Sequence, residues 1–333
     1  MDSSLADEFT IFDLHNDLLS YLASSSSHSP FDQAPRCSVD QLRAGGVTGL
    51  CLPIFAETES RSESALMRQI ACYRNLCQQY PTIFGSTPNS GAEITILPAI
   101  ENVSSFLGEN EPLEVGLKRF IDVCGPSVRF VYVSLTWNFD NRCGGGSPST
   151  NGLTEDGKRV IDFLAPYAAA IDLSHAGDRL AEDVLRYLDE SKSPLRVIAS
   201  HSNFRTITDV PRNLPDEIAQ EIVRRGGVIG LACIRRFIGP TSEHLFKHIE
   251  HALKKGWEEA LSIGADFFVW RKLQPGQYDA FVEEHFFPRY GDASCLRTLI
   301  NDVKERFGEW VAIGMANRNL RNRLLRTVRD QLV

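Results

Sequence analysis

Six residues that can hold a metal ion stand at the carboxyl ends of strand-like runs in this chain. The first run ends in Asp13-Leu14-His15-Asn16-Asp17, where His15 and Asp17 lie two apart and share one face of an extended chain. Further on, Leu97-Pro98-Ala99-Ile100 leads into Glu101, IDLSH ends at His175, VIASH ends at His201, and SIGAD ends at Asp266. Taken singly, each reads as a strand-end cap or a hydrogen-bonded core residue. Gathered into one pocket, three imidazoles and three carboxylates are electrostatically costly without a cation. Imidazole suits zinc, and one carboxylate can bridge two ions roughly 3.5 to 4 Å apart with a shared hydroxide between them, so the set fits a dinuclear zinc site.

The elements that must bring these residues together are short, apolar and β-branched. Strands are expected at Phe9 to His15, Gly49 to Phe55, Ile94 to Glu101, Val128 to Trp137, Ala168 to His175, Arg196 to His201, Val228 to Ile234 and Leu261 to Phe267. They are apolar on both faces, as parallel strands are when helices cover one side and a barrel core the other. Amphipathic helical stretches separate them, clearest at 62–80, 154–168, 177–191, 216–227 and 242–256, with Thr154 and Ser242 as caps and Gly226 and Gly256 as stops. Eight such units without a linker predict an α/β fold, a (β/α)8 TIM-type barrel with a C-terminal helical extension, as a single domain over 1–333. A doubly wound open sheet is the structural alternative, but no GxGxxG follows the first strand.

Composition narrows the classes. The 333 residues carry a formal net charge of −8, which argues against nucleic-acid or anionic-membrane binding, since both need a basic face. From Trp310 onward Arg318, Arg321, Arg323, Arg326 and Arg329 make a basic tail, read as a terminal helix docked on an acidic body. No apolar run approaches the roughly 18 to 20 residues of a membrane span. The acidic opening MDSSLADEFT is no secretory signal, so a cytoplasmic protein with eight reduced cysteines is expected. Two loops, 141–152 and 272–294, leave strand ends where barrel active sites lie, and serve as lids or substrate walls. His244, His248 and His251 share a helix face, but a neighbouring apolar stripe makes them flank the core and not a metal.

The pieces FDLHNDL, LPAIE, VRFVYVSLTWN, GLTEDGKRVI, AIDLSHAGD, VIASHSNFRTITDVPRNLPDE and RRGGVIGL, in that order, resemble the membrane (renal) dipeptidase family of zinc peptidases within the amidohydrolase superfamily. The likeness runs over roughly 9–267, and GMANRNLRNRLL resembles the family's closing segment. It implies two zinc ions, one on His15 and Asp17, the other on His175 and His201, with Glu101 bridging. It also implies that Asp266 handles protons at the bridging water and that Arg212 receives the free carboxylate of a dipeptide, a task suited to a planar guanidinium. Broad side-chain specificity, tolerance of a C-terminal D-residue and a homodimer follow from the same likeness.

Two departures stand out. Many family members have a histidine after the Leu-Thr of strand 4 that polarises the scissile carbonyl; here Trp137 stands there, with Asn138 as a candidate neutral donor to the substrate. After Asp266 the usual Phe-Asp-Gly is Phe267-Phe268-Val269. Alternatives to a dipeptidase are therefore a related amidohydrolase acting on acyl amino acids, lactones or cyclic amides, or a non-catalytic metal-binding barrel.

Overall fold

The computed structural model describes residues 10–87, 90–125, 128–270, 273 and 276–325. Eight parallel strands form the barrel: β1 Ile11–Asp13, β2 Val47–Phe55, β3 Ile94–Glu101, β4 Phe130–Ser134, β5 Ala168–Asp172, β6 Arg196–Ile198, β7 Ile229–Leu231 and β8 Leu261–Ile263. Neighbours in sequence are neighbours in the sheet from β1 to β6, β8 pairs with both β1 and β7, and a bridge between Ala199 and Ile229 joins β6 to β7. A two-residue strand at Phe84–Gly85 adds to the start of β3. The expected barrel is therefore present, and the open sheet is not.

Most strands stop short of their expected ends, and the reason bears on the site. His175 and Asp266 take positive φ, 68° and 62°, and so does Asn102 after Glu101, 73°. Left-handed backbone at a non-glycine residue costs of order 1–3 kcal/mol and persists only where the surroundings impose it. The chain leaves extended geometry at His175 and Asp266, and directly after Glu101, where these side chains turn into the mouth. Glu101 itself is held by the longest ladder, seven paired rows between β2 and β3 from Gly49–Thr95 to Phe55–Glu101.

The helices at Ala65–Gln79, Glu155–Leu164, Asp178–Ser191, Asp216–Arg224 and His244–Lys254 match the periodic stretches. Thr154 caps as expected, accepting from Gly157 N, while Ser242 lies outside its helix, whose cap position is Glu243. Tyr278–His285, within a stretch expected to be loop, is a helix, as are Leu113–Cys124 and Leu296–Phe307.

Two apolar layers result. The outer one packs helices on strands. The inner one fills the barrel with Phe12, Leu14, Cys51, Leu97, Val131, Tyr132, Ala170, Ile198 and Val228, and is closed by Leu320 and Leu324 of the C-terminal extension, both fully buried. Asn319 fastens that extension by donating to Glu258 O and Leu261 O, each at 2.8 Å. The basic tail is thus a barrel plug as far as Leu325. Arg318 stacks on Trp310 and Arg323 faces Glu259 at 3.3 Å, while Arg326 and Arg329 lie outside the described residues. No helix among the described residues is long and apolar enough to cross a membrane.

Candidate active site

The strand ends converge. His15, His201 and Asp266, then Glu101, His175 and His201, then His15, Asp17 and Glu101, form three overlapping groups whose ligand atoms lie within 4.8 Å of one another. His15, Glu101 and His201 each belong to two of the three groups, and Glu101 offers a separate oxygen to each side. One oxygen stands 2.9 Å from His175 Nε2 and 3.6 Å from His201 Nε2, the other 3.3 Å from His15 Nε2. Asp266 lies 3.8 Å from His15 Nε2.

This arrangement suits a cation. The Nε2 atoms of His175 and His201 are 2.9 Å apart, so two ring lone pairs and a carboxylate meet in one spot. His15 Nε2 is buried without a hydrogen-bond partner. The metal-free electrostatics agree. Burial alone would lower His15, but Glu101, Asp17 and Asp266 outweigh it and lift the imidazole to about 9. Burial also lifts Asp266 to about 7 and drives His175 down to about 3, with His201 lowered by burial and by His15. Glu101 stays well below the usual carboxylate range despite its burial, held there by His15. The cluster keeps one proton where a divalent ion would displace it.

Each imidazole is oriented through its other nitrogen. Tyr132 Oη meets His15 Nδ1 at 2.8 Å and donates to Leu14 O. Ser200 Oγ lies 2.6 Å from His201 Nδ1 and 2.5 Å from Asp172, which also accepts from the backbone of Ser174 and Ser200. Asn138 Oδ1 faces His175 Nδ1 at 2.8 Å. Such partners fix the tautomer and leave Nε2 free to ligate. Asn138, expected to serve the substrate, thus sits on the far nitrogen of a ligand candidate. A Cβ at Gly230 or Gly264 would come within 2.0 and 1.9 Å of Ser200 O, so glycine alone lets β7 and β8 approach the strand end carrying His201.

Tyr132 and Asp172 escaped the sequence reading because they arrive from other strands. Tyr132 is 117 residues from His15. Its one signal was a polar group among apolar neighbours in VRFVYVSL. Asp172 offered the same kind of signal inside AAAID.

The cluster floors a cavity of about 1140 Å³, whose walls include Phe55, Trp137, Phe139, Arg212, Phe237, Phe268 and Trp270. Both long loops contribute, through Ser147 and Pro148 and through Glu284 and His285. Arg212 is 7% exposed; it donates to Ser202 Oγ at 2.7 Å and His201 O at 2.8 Å, and its Nε has no partner. A buried guanidinium hydrogen-bonded to neutral oxygens and facing a cavity is prepared for an anion. Trp137 packs edge-on to Phe55 at 5.3 Å and lies 5.9 Å from His175. The other histidine row is structural: His248 is buried, receives the Phe204 N–H and meets Ile238 O.

Comparison with known proteins agrees with this geometry. The sequence model of the membrane dipeptidase family, peptidase family M19, matches residues 2–280. An uncharacterized dipeptidase of Schizosaccharomyces pombe is 26% identical, covering 90% of this chain and 79% of its own length. Dipeptidase 3 of Rattus norvegicus is 25% identical over 98% of this chain, which spans 66%, just under two thirds, of that relative. Among solved structures, a metallo peptidase from Rhodobacter sphaeroides liganded with a phosphinate mimic of the dipeptide L-Ala-D-Ala superposes with a TM-score of 0.77 at 18% identity, covering 96% of this chain and 99% of that one. The chain belongs to the membrane dipeptidase family, peptidase family M19, and is a metallopeptidase of the dipeptidase type.

Proposed function

We propose that the protein is a zinc dipeptidase that hydrolyses the single peptide bond of free dipeptides. One observation carries the reading: the ligand atoms of His15, Asp17, Glu101, His175, His201 and Asp266 form overlapping groups, and Asp17, Glu101, His175 and Asp266 of that set line the same cavity as Arg212. In this reading His15 and Asp17 hold one zinc, His175 and His201 the other, and Glu101 serves both. Two zinc ions bound there supply hydroxide at neutral pH and polarise the peptide carbonyl.

The chain's own residues do the rest. Arg212 takes the terminal carboxylate in a bidentate grip and so sets the distance from that end to the cleaved bond. Asp266, beside His15 at the floor, accepts the proton of the attacking water and returns it to the departing amine. Trp137 walls the site at the position where many relatives have a carbonyl-polarising histidine. Acceptance of a C-terminal D-residue fits the L-Ala-D-Ala mimic held by the Rhodobacter relative. The eight free cysteines suit a reducing, cytoplasmic setting. A homodimer belongs to the same reading and is checked by sedimentation.

The test is direct. Zinc-reconstituted protein should release free amino acids from Gly-D-Ala and L-Ala-D-Ala. Cleavage of N-acyl amino acids or lactones with dipeptides left intact would instead favour the wider amidohydrolase reading.

A further inference from the structure

The charges around the cavity are segregated by strand. Arg212 follows β6, and Arg235 and Arg236 follow β7. Glu57 and Glu59 follow β2, and Trp137 and Phe139 follow β4. In an eight-stranded ring taken in sequence order, β2 lies directly across from β6. A dipeptide held by its carboxylate at Arg212 and crossing the metal floor therefore points its amino-terminal residue toward the β2–β4 wall.

That wall has an unusual composition. Glu57 and Glu59 are exposed to the cavity and have no ion-pair partner among the described residues. Beside them Phe55, Trp137 and Phe139 form an aromatic chain, with ring centroids 5.3 and 5.9 Å apart, and Phe139 is 63% exposed. Aromatic faces next to unpaired carboxylates recognise a flat cation on an apolar stem, because the rings attract it and cover the stem while the carboxylates take its N–H groups. The opposite wall repels such a group with three arginines, tempered by Glu284. The cavity, about 1140 Å³, lies just above the usual range of about 300–1,000 Å³ for a small-molecule site and leaves room for a long side chain beyond the dipeptide backbone.

We propose that this wall is a subsite selecting arginine, and next lysine, as the amino-terminal residue of the dipeptide. The inference rests on the dipeptidase reading and names the substrate class within it. Charge polarity across the mouth then fixes the direction in which the dipeptide binds: carboxylate to the β6–β7 side, side-chain cation to the β2–β4 side.

The experiment compares Arg-Ala, Lys-Ala, Phe-Ala, Glu-Ala and Ala-Ala on the zinc-loaded protein, with amino-acid release read by chromatography. Arg-Ala should exceed Ala-Ala in kcat/KM by about tenfold, the sum expected from one exposed ring–cation contact and an exposed charge pair. The excess should lie in KM and shrink at high salt. In the double variant E57Q/E59Q the ratio of Arg-Ala to Ala-Ala should fall to about threefold or less, the remainder being the rings' share. Equal kcat/KM for Arg-Ala and Ala-Ala overturns the subsite and leaves the dipeptidase reading standing. So does Phe-Ala matching Arg-Ala, which would make the wall merely apolar, or a ratio untouched by E57Q/E59Q. Failure to cleave any of the five overturns the dipeptidase reading itself.

Discussion

Replacing Asn138 separates two roles for one residue. Next to Trp137, it reads as a donor to the substrate carbonyl, yet its Oδ1 lies 2.8 Å from Nδ1 of His175, a side chain only 6% exposed. Asn138→Leu keeps the volume and removes the acceptor. A hydrogen bond to a group that becomes polarised is worth about 1.5–3 kcal/mol, and loss of such a partner lowers metal affinity about 10- to 100-fold. Because His15 and His201 keep their own partners, Tyr132 and Ser200, the proposed two-zinc site should weaken in only one of its binding steps. Competition against a chromogenic chelator at neutral pH resolves the two steps. With zinc in excess, kcat/KM on L-Ala-D-Ala should return to within about threefold of the parent. Asn138→Asp, which keeps an acceptor for the same N–H, should retain the affinity. Unchanged zinc affinity in Asn138→Leu, with kcat depressed more than a hundredfold at saturating metal, would refute this reasoning and return Asn138 to the carbonyl.

Three further outcomes follow from the same structure. Arg212→Met should raise KM and lower kcat/KM for free dipeptides by about 10²- to 10³-fold, the loss expected for a buried charge-assisted pair, while barely affecting dipeptide amides; equal losses on both substrates would mean a structural role. Leu320→Ala removes a fully buried side chain from the barrel plug and should cost about 2–5 kcal/mol in urea unfolding, whereas a cost below about 0.5 kcal/mol would place the extension outside the folded core. Ser200→Ala breaks the link from Asp172 to His201 and should weaken zinc binding about tenfold or more without altering KM at saturating metal, and a change confined to KM would contradict the positioning role.

The barrel and the convergence of the candidate ligands were legible for a common reason. His15, Glu101, His175, His201 and Asp266 each follow directly on an apolar run, so covalent continuity places them at the mouth once the runs become parallel strands. Arg212 was not legible from spacing; it came through likeness to a family. The orienting partners Tyr132 and Asp172 were hidden because they depend on which strand lies beside which. Asp13 shows this well: buried and lifted to about 6 by that burial, it accepts from Ala265 N, 252 residues away, as well as from Asn16 and His15. Strand ends were overread because apolar character continues past the last ladder bond into the left-handed turns at His175 and Asp266. The helix at Tyr278–His285 was missed because glycine, proline and charged residues around it mask a short apolar face that packs Phe281 against Phe268.

The central claim is that two metal ions share Glu101, and metal stoichiometry together with activity in one sample tests it most directly. After removal of metal and reconstitution with zinc, the parent should carry two zinc ions per chain and cleave L-Ala-D-Ala. Glu101→Gln should retain at most one and lose cleavage, while its metal-free fold remains intact by circular dichroism. Fewer than one zinc in the reconstituted parent, or a Glu101→Gln variant that keeps both ions and full activity, would contradict the account.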